Sequence, residues 1–201
     1  MADSAEMQKV LGVIKWVQGN IKLERFDPKT YSRVYGRRSV AQIIKSGKMP
    51  YLNTCPDIAM TISVLLKEAG FNPTFVGHEH IGQRIKGPLV HFAVEVKIDG
   101  QVHTINTEGF NEVHIYRGKY DPAKSKPGRK HLGVVRISTA KFNRKTTFLS
   151  ALGVRNFKEF GQRFKYFGYA EMRKTLKHVR ETDSKRLFKR ISTQKKRIIR
   201  L

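Results

Sequence analysis

The chain has a single cysteine, Cys55, in the stretch YLNTCPDIAM (51–60). A polar Asn-Thr pair precedes it, and Pro56-Asp57 then opens an apolar run. Proline suits the first position of a helix, and an acid beside it complements the positive end of the helix dipole. Cys55 is therefore expected at the N-terminal tip of a helix. There the dipole and the free amides lower a thiol pKa and favour the nucleophilic thiolate. The same amides can hold a developing oxyanion. A thiolate in this role needs an imidazole as base and later as acid, and a third group to orient that imidazole. The plain alternative is a small apolar residue buried in a helix.

The rest of such a site is found in HFAVEVKI (91–98), Asp99-Gly100 and QVHTINTE (101–108). An Asp-Gly pair between two alternating runs marks a tight hairpin. With the turn centred there, His91 faces Glu108 and Ala93 faces Asn106. His91, Ala93, Glu95, Thr104, Asn106 and Glu108 share one face, because side chains alternate along a strand. Asn106 is then the diagonal neighbour of His91, within side-chain reach. The other face carries Phe92, Val94, Val96, Ile98 and Ile105, with His103 as its polar exception, and should meet the core.

The elements that must position these groups follow from periodicity. Residues 4–18 read as a helix capped by Ser4, with Met7, Val10, Leu11, Ile14 and Val17 at helical spacing. Asp27-Pro28 reads as a turn, and 39–47 as a short helix ending at Gly47. The clearest helix is 55–70, with Ile58, Ala59, Ile62, Leu65, Leu66 and Ala69 on one stripe. Residues 72–79 begin a strand, 121–130 form a basic Pro/Gly loop, and 131–138 form one more strand. From about 141 the pattern becomes helical and basic. Its aromatics (Phe142, Phe148, Phe157, Phe160, Phe164, Tyr166, Phe167, Tyr169) fit the inner faces of helices better than base-stacking platforms.

Bulk properties bound the answer. The chain has 201 residues, 39% of them hydrophobic, enough for one good core. The longest nearly apolar run, 58–66, is far too short to span a bilayer, and the acidic, polar N-terminus is unlike a signal peptide. One cysteine allows no internal disulfide, which fits a reducing, cytoplasmic setting. The net charge of +24 is uneven: residues 1–116 hold 14 Lys/Arg against 11 Asp/Glu (+3), and 117–201 hold 26 against 5 (+21). Such a field attracts polyanions, nucleic acid first. Lys185, Arg186, Lys189, Arg190, Lys195, Lys196, Arg197 and Arg200 are the candidate contacts, suited to phosphate without sequence readout. A solvated basic face is the bland alternative. His78 and His80 alternate onto one face, but two ligands without a third do not make a metal site, so neither metal nor cofactor is expected.

Taken together, WVQGNIKL, SVAQIIKSGKMPYLNTCPDIAMTISVLLKEAGFNPTFVGH and HFAVEVKIDGQVHTINTEG resemble the transglutaminase-like superfamily of papain-fold cysteine enzymes, over roughly residues 11–110. The resemblance implies Cys55 as nucleophile, His91 as acid/base and Asn106 as the orienting residue. The family's third member is usually Asp, and Gly often stands where this chain has Asn53. Tyr51 and Asn53 are candidates for the substrate groove. The expected fold is α+β: a papain/transglutaminase-like core over 1–140, with the nucleophile helix packed on an antiparallel sheet, and a basic, mostly helical extension over 141–201. The expected activity is hydrolysis of amide or peptide bonds in a protein or peptide substrate, with deamidation and transamidation as variants. The competing expectation is a DNA- or RNA-binding protein built on a catalytically inactive copy of this scaffold.

Overall fold

A computed structural model describes residues 3–50, 54–81, 88–109, 112–156 and 159–160. The first helix, α1 (Ala5–Asn20), is capped by the Ser4 hydroxyl, which accepts from the Met7 amide, and it buries Val10, Leu11, Ile14 and Val17. A short strand β1 (Lys22–Glu24) leads to α2 (Pro28–Val34). Here the structure departs from the expected turn. Asp27 Oδ1 accepts from the Thr30 amide at 3.0 Å, so Asp27-Pro28 is a helix start with an acidic cap and proline in the first turn. Helix α3 (Val40–Ser46) carries a reciprocal Ser39/Gln42 capping box. It stops at Gly47, whose φ of 61° is left-handed and whose absent Cβ would meet the Asn20 carbonyl at 3.3 Å. Strand β2 (Lys48–Pro50) pairs in parallel with β1.

Helix α4 (Cys55–Glu68) follows, and ten of its residues from Pro56 to Leu66 are buried. It is the central helix: α1 and α3 flank it, and its apolar side lies on the sheet. The sheet is built from β3 (Thr74–Ile81), β4 (Pro88–Ile98), β5 (Gln101–Gly109), β6 (Glu112–Arg117) and β7 (Lys130–Ser138), in spatial order β6-β5-β4-β3-β7 with every neighbour antiparallel. The fold is α+β. The β4–β5 register is the one the Asp-Gly turn predicts, from Ile98↔Gln101 to Ala93↔Asn106. Phe75, Phe92, Val94, Val96, Ile98 and Ile105 are all buried on the face that meets α4, within one core cluster. Strand β6 was not expected from sequence, although Val113 and Ile115 alternate inward with period two.

Two short helices complete the body, α5 (Pro122–Ser125) and α6 (Phe148–Ala151). After β7 the chain crosses back over α3 and α4. The Val40 and Ala41 amides donate to the carbonyls of Thr146 and Arg144, Lys67 Nζ donates to those of Ala140 and Phe142, and Arg144 pairs with Glu68. Phe142, Phe148, Leu149, Leu152, Val154 and Phe160 belong to the same core cluster as α1 and α4. The described residues beyond 140 thus pack on the body, as the apolar spacing of their aromatics suggests. The remainder of 141–201 from residue 161, with the eight Lys/Arg from Lys185 to Arg200, lies outside the described residues. Among the described residues no helix is long and apolar enough to cross a membrane.

Phe148 closes this arrangement. It is 1% exposed, meets Phe92 edge-on at 5.0 Å between ring centroids, and lies 5.9 Å from Phe160. Phe148→Ala should destabilise the protein by about 3–5 kcal/mol in urea unfolding, whereas Val135→Ala, at a side chain 37% exposed, should change the midpoint little.

Candidate active site

The site forms where two paired strands part. The β4–β5 ladder runs as far as Ala93↔Asn106 and then ends, and β5 pairs irregularly with β6 between Asn106 and Gly109. Beyond that point the backbone groups of β4 find side chains instead of a neighbouring strand. The Thr107 hydroxyl donates to the Phe92 carbonyl at 2.6 Å. The Cys55 thiol donates weakly to the Val90 carbonyl at 4.0 Å, and the Phe92 amide donates to the sulfur. The tip of α4 thus inserts its one cysteine between the two peptide groups that flank His91.

His91 points to the face opposite α4. Its Nε2 lies 2.6 Å from Asn106 Oδ1, and Asn106 Nδ2 donates to Ser125 Oγ at 3.3 Å. The amide nitrogen being committed to Ser125, the carbonyl oxygen meets the imidazole. An amide oxygen only accepts, so Nε2 carries the proton and the lone pair sits on Nδ1. That is the tautomer a general base needs. The diagonal contact predicted from the hairpin is therefore present, with both side chains buried.

Ser125 is held in place by a chain of bonds from the same sheet face. Glu95 accepts two bonds from Arg136, at 3.0 and 2.8 Å to one oxygen, and also the Tyr120 amide at 2.8 Å. Asp121 then caps α5 by accepting from Ala123 and Lys124. The stretch read from sequence as a basic loop is thus a pinned, capped turn of helix.

The electrostatics differ from the sequence expectation. The thiol is pushed up to about 12, chiefly by burial; the Phe92 amide and the Lys126 charge pull it down, and Asp57 adds to the rise. Burial, then the charge of Lys126, lowers His91 to about 3, while its bond to Asn106 works the other way. At rest the thiol and the imidazole are both neutral, because this end of α4 is enclosed and the dipole does not outweigh the loss of water. Asp57, next along the helix, is likewise raised by burial to about 6, against the opposing effect of Arg38, 3.6 Å away.

Several residues here were not singled out from sequence. Tyr35, from the end of α2, lies within electrostatic reach of the sulfur. The Tyr120 ring is tilted against that of His91, 6.1 Å between centroids, and its hydroxyl bonds His78 Nδ1 at 2.8 Å. His78 Nε2 continues to His131 at 3.1 Å, and Arg129 donates to His80 Nε2 at 2.8 Å. Among the described residues no group of three or more His, Cys, Asp or Glu is placed to hold a metal ion. Tyr51 and Asn53, the groove candidates, lie outside the described residues.

Asn106→Asp should raise the His91 pKa by adding a charge partner, and so favour the thiolate–imidazolium pair. Iodoacetamide should then label Cys55 at pH 7 at least about tenfold faster than in the native chain, in which labelling climbs only toward high pH. No family model matches the chain, and no curated protein or solved structure is significantly similar to it.

Proposed function

We propose that the chain is a thiol-dependent hydrolase of amide or peptide bonds, of the transglutaminase-like kind, working through Cys55, His91 and Asn106. The observation that carries this reading is the 2.6 Å bond from His91 to Asn106 with the Cys55 sulfur held by the peptide groups on either side of His91. Burial, which keeps the thiol neutral at rest, also strengthens every charge that develops once substrate has displaced water.

His91 Nδ1 takes the Cys55 proton as sulfur adds to the substrate carbonyl, and the Cys55 backbone amide at the tip of α4 faces the developing oxyanion. Collapse expels the amine, which leaves with the proton from His91, and a thioester remains on Cys55. Water, deprotonated by His91, then attacks the thioester; the acid departs and the thiol is restored. Asn106 orients the ring throughout but, being neutral, does not offset the imidazolium. Replacing water with an amine in the second half turns the same site into a transglutaminase. A cysteine kept as a free thiol suits a reducing intracellular setting.

Turnover of a fluorogenic peptide library should be lost in Cys55→Ala and in His91→Ala, each by about 10³-fold or more, with the double variant no worse than either single one. Undiminished turnover in Cys55→Ala would sink the hydrolase reading.

A second reading rests on the +21 charge of residues 117–201 and on the neutral resting pair: a DNA- or RNA-binding protein on an inactive scaffold, contacting phosphates through Lys185 to Arg200. Its signature is an affinity for duplex DNA or RNA that falls steeply with salt and drops when 182–201 are deleted. Salt-independent or absent binding would argue against it.

A further inference from the structure

The sheet ends in an open edge at β7. Among the described residues, β3 is its only strand neighbour, and every β7 residue is exposed or half-buried. Alternate residues of an antiparallel strand turn their N–H and C=O groups to opposite sides. Half of the β7 backbone therefore faces away from β3, into water.

A cleft of about 810 Å³ runs beside this edge, between 135–138 and the chain from 140 to 153. Its floor is apolar: Phe142 and Leu152 belong to the core, and Ile137 packs against it. Val135 lies opposite Gly77 and Ile137 opposite Phe75, so both turn to the face of the sheet that meets α4. Val135 is 37% exposed, and among the described residues Trp16 is the one other large apolar side chain so open. Open edges are ordinarily blunted by charges or proline on the strand. From 133 onward the β7 residues on this face are Gly133, Val135 and Ile137, and Arg136 on the other face is bound to Glu95.

The rim of the cleft is basic. Lys141 and Lys145 line it, both exposed, and no acidic residue does. Among the described residues neither lysine has a carboxylate partner. The acids on the surrounding elements are engaged or enclosed. Glu68 is paired with Arg144, Glu95 with Arg136 and Glu159 with Arg155, while Glu79, opposite Gly133 on β3, is 2% exposed. The side chains of Glu108 and Glu112, on the far strands β5 and β6, and residues Glu171, Glu181 and Asp183 lie outside the described residues.

We propose that the β7 edge and this cleft form a docking site for an extended acidic segment of another protein, which adds to the sheet as a further strand. Its main chain bonds the outward groups of β7. Its side chains alternate, so residues two apart enter the cleft, an apolar one over Val135 and Leu152 and an acidic one at Lys141 and Lys145. Other occupants match less well. Residues 161–201 of the chain itself hold 14 Lys/Arg against 3 Asp/Glu, and two copies joined edge to edge would bring their lysines together. A nucleic acid would meet the lysines but leave the β7 backbone unpaired. The cleft is separate from Cys55, which sits where β4 parts from β5, whereas β7 lies beyond β3. The docking site therefore stands whether or not the chain is a hydrolase.

The probe is the blocked peptide acetyl-Thr-Val-Thr-Glu-Thr-Val-Thr-amide, titrated by calorimetry into the full chain. One comparison peptide has Lys in place of Glu, and another carries N-methyl groups on its three central residues. The Glu peptide should bind at least about tenfold more tightly than either, and should slow hydrogen exchange of the outward amides within 133–138. Lys141→Glu combined with Lys145→Glu should abolish the preference for Glu over Lys. Lys9→Glu combined with Lys15→Glu, on the exposed side of α1, changes the net charge equally and should preserve it. Thermal melts check that the variants are folded, and either cleft lysine changed alone serves if the pair does not fold. Equal affinity for the Glu and Lys peptides, equal affinity for the N-methylated one, or a preference that survives the cleft substitutions overturns the proposal. Slowed exchange at 133–138 with oligothymidylate but with no peptide assigns the cleft to nucleic acid, and slowing that grows with protein concentration alone assigns it to a second copy; either result overturns it too.

Discussion

Everything at this site depends on the parting of β4 from β5 beyond Ala93 and Asn106. A continued ladder would have used the Val90 and Phe92 backbone groups to pair strands, and no opening would exist for a helix tip. Because the ladder stops, those groups must be satisfied in another way. The Thr107 hydroxyl and the Cys55 thiol satisfy them. The register up to that point keeps Asn106 diagonal to His91, so one break both admits the sulfur and leaves the imidazole oriented. The β5–β6 irregularity between Asn106 and Gly109 gives β5 room to bend away.

The second constraint is burial. Tyr35, Asp57 and Cys55 surround the tip of α4, and each of their ionisable groups is raised by loss of water. A helix dipole is worth about 0.3–1 kcal/mol at an exposed end, too little to reverse that. The site is therefore arranged to keep its ionisable groups uncharged at rest. Asn106 fits the same design, since a carboxylate in its place would hold the imidazolium permanently.

Much of this was legible in the sequence. The Asp-Gly turn fixed the hairpin register to the residue, and the alternation of Phe92, Val94, Val96 and Ile98 fixed which face meets the core. Ser4, Ser39 and Gly47 marked helix ends through chemistry local to the chain. Asp27-Pro28 and Asp121-Pro122 read as turn or loop in sequence, yet each is an acidic cap followed by proline in a first helical turn; only the proline is shared with the start of α4, where Asp57 follows Pro56 and no side chain caps the helix. Other features depend on distant partners and left no local signal. The pairing of β7 with β3, the Glu95–Arg136 bond that pins Ser125, and the packing of Phe148 on Phe92 join residues far apart in sequence. The raised thiol pKa belongs to the same class, because burial is a property of the assembled fold.

The row of buried imidazoles has a consequence for how the protein meets acid. His78, His80 and His91 are lowered to about 4, 3 and 3, so between roughly pH 4.5 and 6 the folded chain keeps them uncharged while the unfolded chain protonates all three. Alone they would make stability fall as pH drops below 6.5. Asp57 and Glu79, raised to about 6 and 7, act in the opposite sense: over the same interval the folded state holds their two protons and the unfolded state releases them. Three protons gained on unfolding are set against two lost, leaving a net uptake near one. The buried carboxyls thus act as a partial counterweight, and the loss of stability in mild acid follows about one proton rather than three.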